Sequence, residues 1–152
     1  MLLAFSSTIT FTLGDAIELM AVWVASLSPS KGGITVSWSG ANNSLWYILN
    51  GEIKEIAGDK QPIGKYYNAT AFNTHKLKLQ KGDTLYLFTD GYADQFGGEK
   101  GKKFKYKQMQ EKLLAINNEP LAEQKQELEK EFESWKGSLE QVDDVLIIGV
   151  RL

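Results

Sequence analysis

The chain has 152 residues, enough for one domain with a real core, and 43% hydrophobic against 24% charged residues is the balance of a globular protein. A formal net charge of −2 offers no basic surface for nucleic acid or for an anionic membrane. The absence of cysteine excludes disulfides and thiolate metal sites and fits a cytoplasmic protein.

The first 27 residues are apolar, but they lack a basic start, and Asp15 and Glu18 break the run short of the ~18–20 residues a membrane span requires. No membrane insertion is expected. Alternation over Thr8–Leu13 predicts a strand with one wet face, and Ile17–Leu27 predicts a buried strand. Further strands are expected at Ile34–Ser39, Leu45–Leu49, Glu52–Ile56 and Ala69–Leu79. Asn50-Gly51 is a strong hairpin signal between two of them. The only histidine, His75, falls in the last of these strands and reads as a surface or edge residue rather than a ligand.

Two later segments carry the chemistry. In GDTLYLFTDGYAD, Leu85 to Phe88 are apolar at consecutive positions, so both faces of that strand must be covered; it ends by placing Asp90 in a turn at Gly91. In QVDDVLIIGV, Asp143 and Asp144 open another apolar strand. If the two strands are antiparallel neighbours, Asp90 lies near Asp143 and Asp144 at one rim of the sheet. Carboxylates without nearby His or Cys suit a hard, oxygen-preferring cation such as Mg²⁺ or Mn²⁺. Asp-Gly is equally a common turn dipeptide, and the residues alone leave both readings open.

Between these segments the period changes to that of helices. Phe104–Ile116 predicts one; a second begins near Pro120, with Asn118 as its cap and Gly137 as its end. Leu121, Leu128, Phe132 and Trp135 form its packing stripe, opposite a charged, solvated side. The four tryptophans read as core. Lys100, Lys102, Lys103, Lys105 and Lys107 read as a solvated helix entrance, or as a charged surface that orients an anionic partner near Asp90.

Together, GDTLYLFTDGYAD, a helical segment and QVDDVLIIGV resemble the SpoIIE-type phosphatases, a bacterial branch of the type-2C metal-dependent Ser/Thr phosphatases. Ser39-Gly40-Ala41-Asn42-Asn43, Gln61-Pro62-Ile63-Gly64, Phe96-Gly97-Gly98 and Trp135-Lys136-Gly137 match further landmarks in the same order. The resemblance implies an α+β domain over 1–152, with antiparallel β-sandwich-type sheet layers and C-terminal helices packed on one face. It implies Asp90 and Asp143 as metal ligands, Asp144 in a supporting or alternate-ligand role, and Gly91 as the turn that admits close backbone approach. It also implies two Mn²⁺ or Mg²⁺ ions in the complete domain and a phosphoprotein substrate such as an anti-sigma-factor antagonist, with an upstream sensor or regulator domain in the parent protein.

The family's first motif, an early strand-end Asp followed by Gly-His-Gly, has no counterpart here. The chain therefore resembles the C-terminal portion of the family domain, and weak or no activity is expected from it alone. A non-catalytic regulatory or interaction module on the same scaffold is the alternative. Missing helical cover predicts an apolar sheet face left open, and a homodimer that buries it.

Overall fold

The computed structural model describes residues 2–7, 23–30, 32–63 and 67–152. Its first strands are β1 (Leu2–Ser7), β2 (Trp23–Ser30), β3 (Gly33–Gly40), β4 (Leu45–Leu49), β5 (Glu52–Ile56), β6 (His75–Leu79) and β7 (Thr84–Phe88). A one-turn helix α1 (Gly91–Asp94) and a small hairpin of β8 (Phe96–Gly97) and β9 (Lys102–Lys103) follow. Two longer helices, α2 (Tyr106–Ile116) and α3 (Leu121–Lys136), lead to the last strand, β10 (Val145–Arg151).

The strands form a five-stranded sheet in the order β1-β10-β7-β4-β5 and a three-stranded sheet in the order β2-β3-β6, with antiparallel pairing throughout. The period of two along β7 explains how the layers stack. Leu85 and Leu87 join Val36, Trp38, Leu45 and Leu79 in a core between the two sheets. Tyr86 and Phe88 point the other way, into a core with Trp46, Leu113, Leu128, Phe132 and Ile147 that lies under α2 and α3. The order is small sheet, large sheet, helices. Burial of each such Leu or Phe contributes ~1.5–3 kcal/mol, so β7, buried along its whole length, is the anchor of the fold.

Helix α3 buries Leu121, Gln124, Leu128 and Phe132, a stripe at spacings of three and four. Gln124 is the polar member of that stripe. Its Oε1 accepts from the Tyr86 hydroxyl at 3.0 Å, and its Nε2 donates to the carbonyls of Asn117 and Glu119 at 3.1 and 2.9 Å. The Arg151 guanidinium donates to the same two carbonyls, so the turn joining α2 to α3 is satisfied from both sides.

The α+β sandwich with helices on one face is as expected, and β4 and β5 have the expected bounds. Asn50 and Gly51 both adopt positive φ, 54° and 79°, as a two-residue hairpin of this twist requires. Other expectations need correction. The strand foreseen over Ala69–Leu79 begins only at His75, because side chains hold the preceding backbone: Gln61 bonds both N–H and C=O of Thr70, and Asp59 accepts from the Asn73 N–H. Pro120, not Asn118, is the residue before the first turn of α3. β1 escaped the sequence reading; it pairs with β10 along the edge of the large sheet. The strand foreseen at Thr8–Leu13, and Ile17–Val22 of the next, lie outside the described residues.

The open sheet face is also unlike the expectation. Ile34, Val36, Trp38, Leu77 and Leu79 point inward, so alternation turns Thr35, Ser37, Ser39, Lys76 and Lys78 outward. On β3 and β6 the outward face is therefore polar.

Candidate metal centre

The register of β7 on β10 pairs Phe88 with Ile147, which brings the end of one strand against the start of the other. Thr89 extends this contact. Its N–H donates to the Leu146 carbonyl at 3.0 Å, its hydroxyl donates to the Asp144 carbonyl at 2.8 Å, and the same oxygen accepts the Leu146 N–H at 2.9 Å. Asp90 comes next, at the rim.

Gly91 opens α1 against the facing strand. A Cβ built on it would stand 2.5 Å from the Asp144 carbonyl oxygen and 3.2 Å from Val145 Cγ2, so only glycine permits this approach. Tyr92 and Ala93 are buried beneath, and the Tyr92 hydroxyl donates to the Leu128 carbonyl at 3.0 Å, which fixes α1 on α3.

The loop that carries Asp143 is fixed to the same turn by a buried amide. Gln95 is fully buried. Its Nε2 donates to the carbonyls of Phe96 and Glu140 at 3.0 and 2.9 Å, and its Oε1 accepts the Val142 N–H at 3.3 Å. Its carbonyl also accepts the Trp135 indole N–H at 3.0 Å. Within the loop, Asp143 Oδ1 accepts the Asp144 N–H at 2.7 Å.

Asp90 and Asp143 are thus brought together, as the sequence implied. Both are solvent-accessible, yet the protein crowding Asp90 partly desolvates it, and the negative charge of Asp143 adds to that; both raise its carboxyl above the ordinary value. Asp94 pushes the same way and Lys103 opposes. The Tyr106 phenol, at the start of α2, is pushed up to about 12, by burial first and then by Asp90, Asp94 and Glu55. Tyr106 also walls an open pocket of about 210 Å³ with Asn42, Asn43, Trp46, Phe88 and Gln110.

Lys100, Lys102 and Lys103 are all exposed on the β8–β9 hairpin, while Lys105 and Lys107, also exposed, stand at the entrance of α2 as expected. Lys103 pairs with Asp94 at 2.8 Å and lies over the Phe96 ring. His75 lies on β6, its ring centroid 5.7 Å from that of Trp38, apart from the rim residues. Thr89 and Gln95 were missed by the sequence reading. A threonine ending a strand and a glutamine after an acidic residue give no pattern that marks them as clamps on a distant loop.

Two repelling carboxylates at one rim suit a hard cation in kind, since the ion relieves the repulsion. They fall short in number. Among the described residues no group of three His, Cys, Asp or Glu side chains is gathered as a metal site, whereas Mg²⁺ and Ca²⁺ take six or more oxygens and waters must supply the rest. The described residues bring two carboxylates, Asp90 and Asp143, to this rim.

The sequence profile of stage II sporulation protein E (SpoIIE) matches residues 5–152. No curated protein matches the chain. Among solved structures, the SiaA-PP2C domain of Pseudomonas aeruginosa aligns with TM-score 0.69 and 30% identity, over 78% of this chain and 46% of that one. The PP2C phosphatase domain, with a fragment of the regulatory domain, of SpoIIE from Bacillus subtilis gives TM-score 0.61 and 19% identity, over 78% and 34%. The RsbU and RsbW domains of Rv1364c from Mycobacterium tuberculosis give TM-score 0.58 and 15% identity, over 77% and 32%. The last two likenesses concern the fold alone. The chain spans less than half the length of each of these structures.

Proposed function

The chain belongs to the SpoIIE family of type-2C-like phosphatase domains, and from that premise we propose that it is a metal-dependent protein serine/threonine phosphatase domain acting on a phosphoprotein signalling partner. The observation that carries this reading is the meeting of Asp90 and Asp143 at the facing ends of β7 and β10. Asp90 and Asp143 would hold Mn²⁺ or Mg²⁺, two ions in the complete domain. Asp144 supports them through its backbone, and Gly91 admits the close approach of the two chains. Bound there, such ions acidify a water and neutralise phosphoryl charge, so no covalent phosphoenzyme is implied.

The protein's own part is binding and orientation. Lys100 and Lys102, exposed on the β8–β9 hairpin, attract an anionic phosphoprotein; Lys103 is already engaged by Asp94. An anti-sigma-factor antagonist is a fitting substrate class, with a sensor or regulator domain upstream in the parent protein and a cytoplasmic location. With two protein ligands among the described residues, the chain is expected to be weak or inactive in isolation. A homodimer is the expected assembly, formed along the β2 edge where Leu27 is 48% exposed. Light scattering that finds a monomer at micromolar concentration rules it out.

The direct test is hydrolysis of p-nitrophenyl phosphate and a phosphoserine peptide over a Mn²⁺ titration. Mn-dependent turnover abolished by Asp90→Asn supports the enzyme. That only two carboxylates are gathered among the described residues favours a second reading, a non-catalytic interaction module; tight metal-free partner binding with no turnover at millimolar Mn²⁺ supports that instead.

A further inference from the structure

We infer that Gln95 is a positioning residue: its buried side-chain amide holds the Asp143 loop against the Asp90 turn and so sets the spacing of the two carboxylates. The inference rests on the metal-site reading above, but its physical basis is separate. Gln95 directly follows α1, the turn that Asp90 opens, and its side chain does not bond within that turn. Instead it bonds across to Glu140 and Val142, the residues just before Asp143 on a stretch without helix or strand.

Three features make this a clamp rather than ordinary packing. All the hydrogen-bonding capacity of the amide that is accounted for goes to backbone groups, which fixes the path of the chain and not merely a rotamer. Donor and acceptor ends are both used on the loop, to Glu140 and from Val142, so the loop is held in register as well as in place. The amide is fully buried, so water cannot replace the bonds without opening the structure.

The second tie is Thr89, which holds the far side of Asp143 through Asp144 and Leu146. Asp143 is therefore suspended between two side-chain clamps that both originate in the Asp90 segment. Outer-shell groups of this kind typically change metal affinity 10–100-fold when lost.

The test uses the full chain with Gln95→Met, which keeps the length and burial of the side chain and removes its hydrogen bonds. Site-resolved amide exchange and Mn²⁺ titration calorimetry are measured on wild type and variant. The expected result is exchange at Val142 and Asp144 at least tenfold faster than the common change at Leu128 and Ile147, with Mn²⁺ affinity lowered about tenfold. A merely structural role would move all four amides together. Unchanged loop exchange, a uniform change, or a local change with unaltered Mn²⁺ affinity overturns the inference. If wild type itself binds no Mn²⁺, the metal reading fails and the exchange pattern alone decides on the clamp. Should Gln95→Met not fold, Gln95→Asn, which keeps a buried amide but is one methylene too short to reach Glu140 and Val142, is read in the same way.

Discussion

Gly91→Ala offers a test in which two physical effects predict opposite signs. Gly91 is the first residue of α1, with no positive φ to strain an alanine, and helix propensity alone would favour alanine by up to ~1 kcal/mol. The space around it says otherwise. The added Cβ would lie 2.5 Å from the Asp144 carbonyl oxygen and 3.0 Å from its carbon, against an ordinary contact of at least 3.4 Å. The obstacle is backbone, pinned by Thr89, so relief requires moving the Asp143–Val145 segment away from α1 by roughly half an ångström to one ångström. Overpacking of this kind costs ~1–3 kcal/mol and outweighs the propensity gain. We expect a net loss of about 1–2 kcal/mol in urea unfolding, with Tm lower by roughly 2–8 °C for a domain of this size. The same displacement separates Asp90 from Asp143, so Mn²⁺ affinity should fall at least tenfold on the order of what a 1 Å misplacement costs a site. A variant as stable as wild type, with Mn²⁺ binding intact, would refute the close backbone approach.

Asp90→Asn should leave metal-free stability at neutral pH unchanged or higher by ~0.5 kcal/mol while abolishing Mn²⁺ binding, since the raised Asp90 carboxyl means the fold pays for that charge. By linkage, wild-type stability should fall as pH rises through the Asp90 titration, and that slope should be absent in the variant; a destabilised variant contradicts this account. Gln124→Leu strands the fully buried Tyr86 hydroxyl and should cost ~1–3 kcal/mol in chemical denaturation, whereas a cost near zero would mean the bond contributes nothing. Burial pushes the Tyr86 phenol from 10.0 up to about 12. The unfolded chain therefore loses this proton first, and stability should decline as pH rises from about 10 towards about 12, less steeply in Tyr86→Phe; equal slopes would count against the assignment.

Much of this architecture could be read from periodicity. The consecutive apolar residues of β7 foretold cover on both faces, and Asn50-Gly51 foretold its hairpin, because these signals are local and steric. The antiparallel pairing that joins Asp90 to Asp143 entered only as a condition, and β7 and β10 meet it. What escaped were contacts made by polar side chains to distant backbone. Gln95 and Gln124 look like surface residues until the fold buries them, Thr89 until it is half-buried, and the Gln61 and Asp59 side chains replace strand pairing before His75 by bonding the backbone of Thr70 and Asn73. The polar outward face of β3 was legible too, in the alternation of Thr35, Ser37 and Ser39.

The central claim is that Asp90 and Asp143 together hold a divalent metal. Anomalous diffraction from crystals soaked in Mn²⁺ tests it most directly. The account predicts a manganese peak within coordinating distance of both carboxylates, lost in Asp143→Asn; a fully soaked wild-type crystal with no peak at this rim, or with manganese bound only elsewhere, would contradict it.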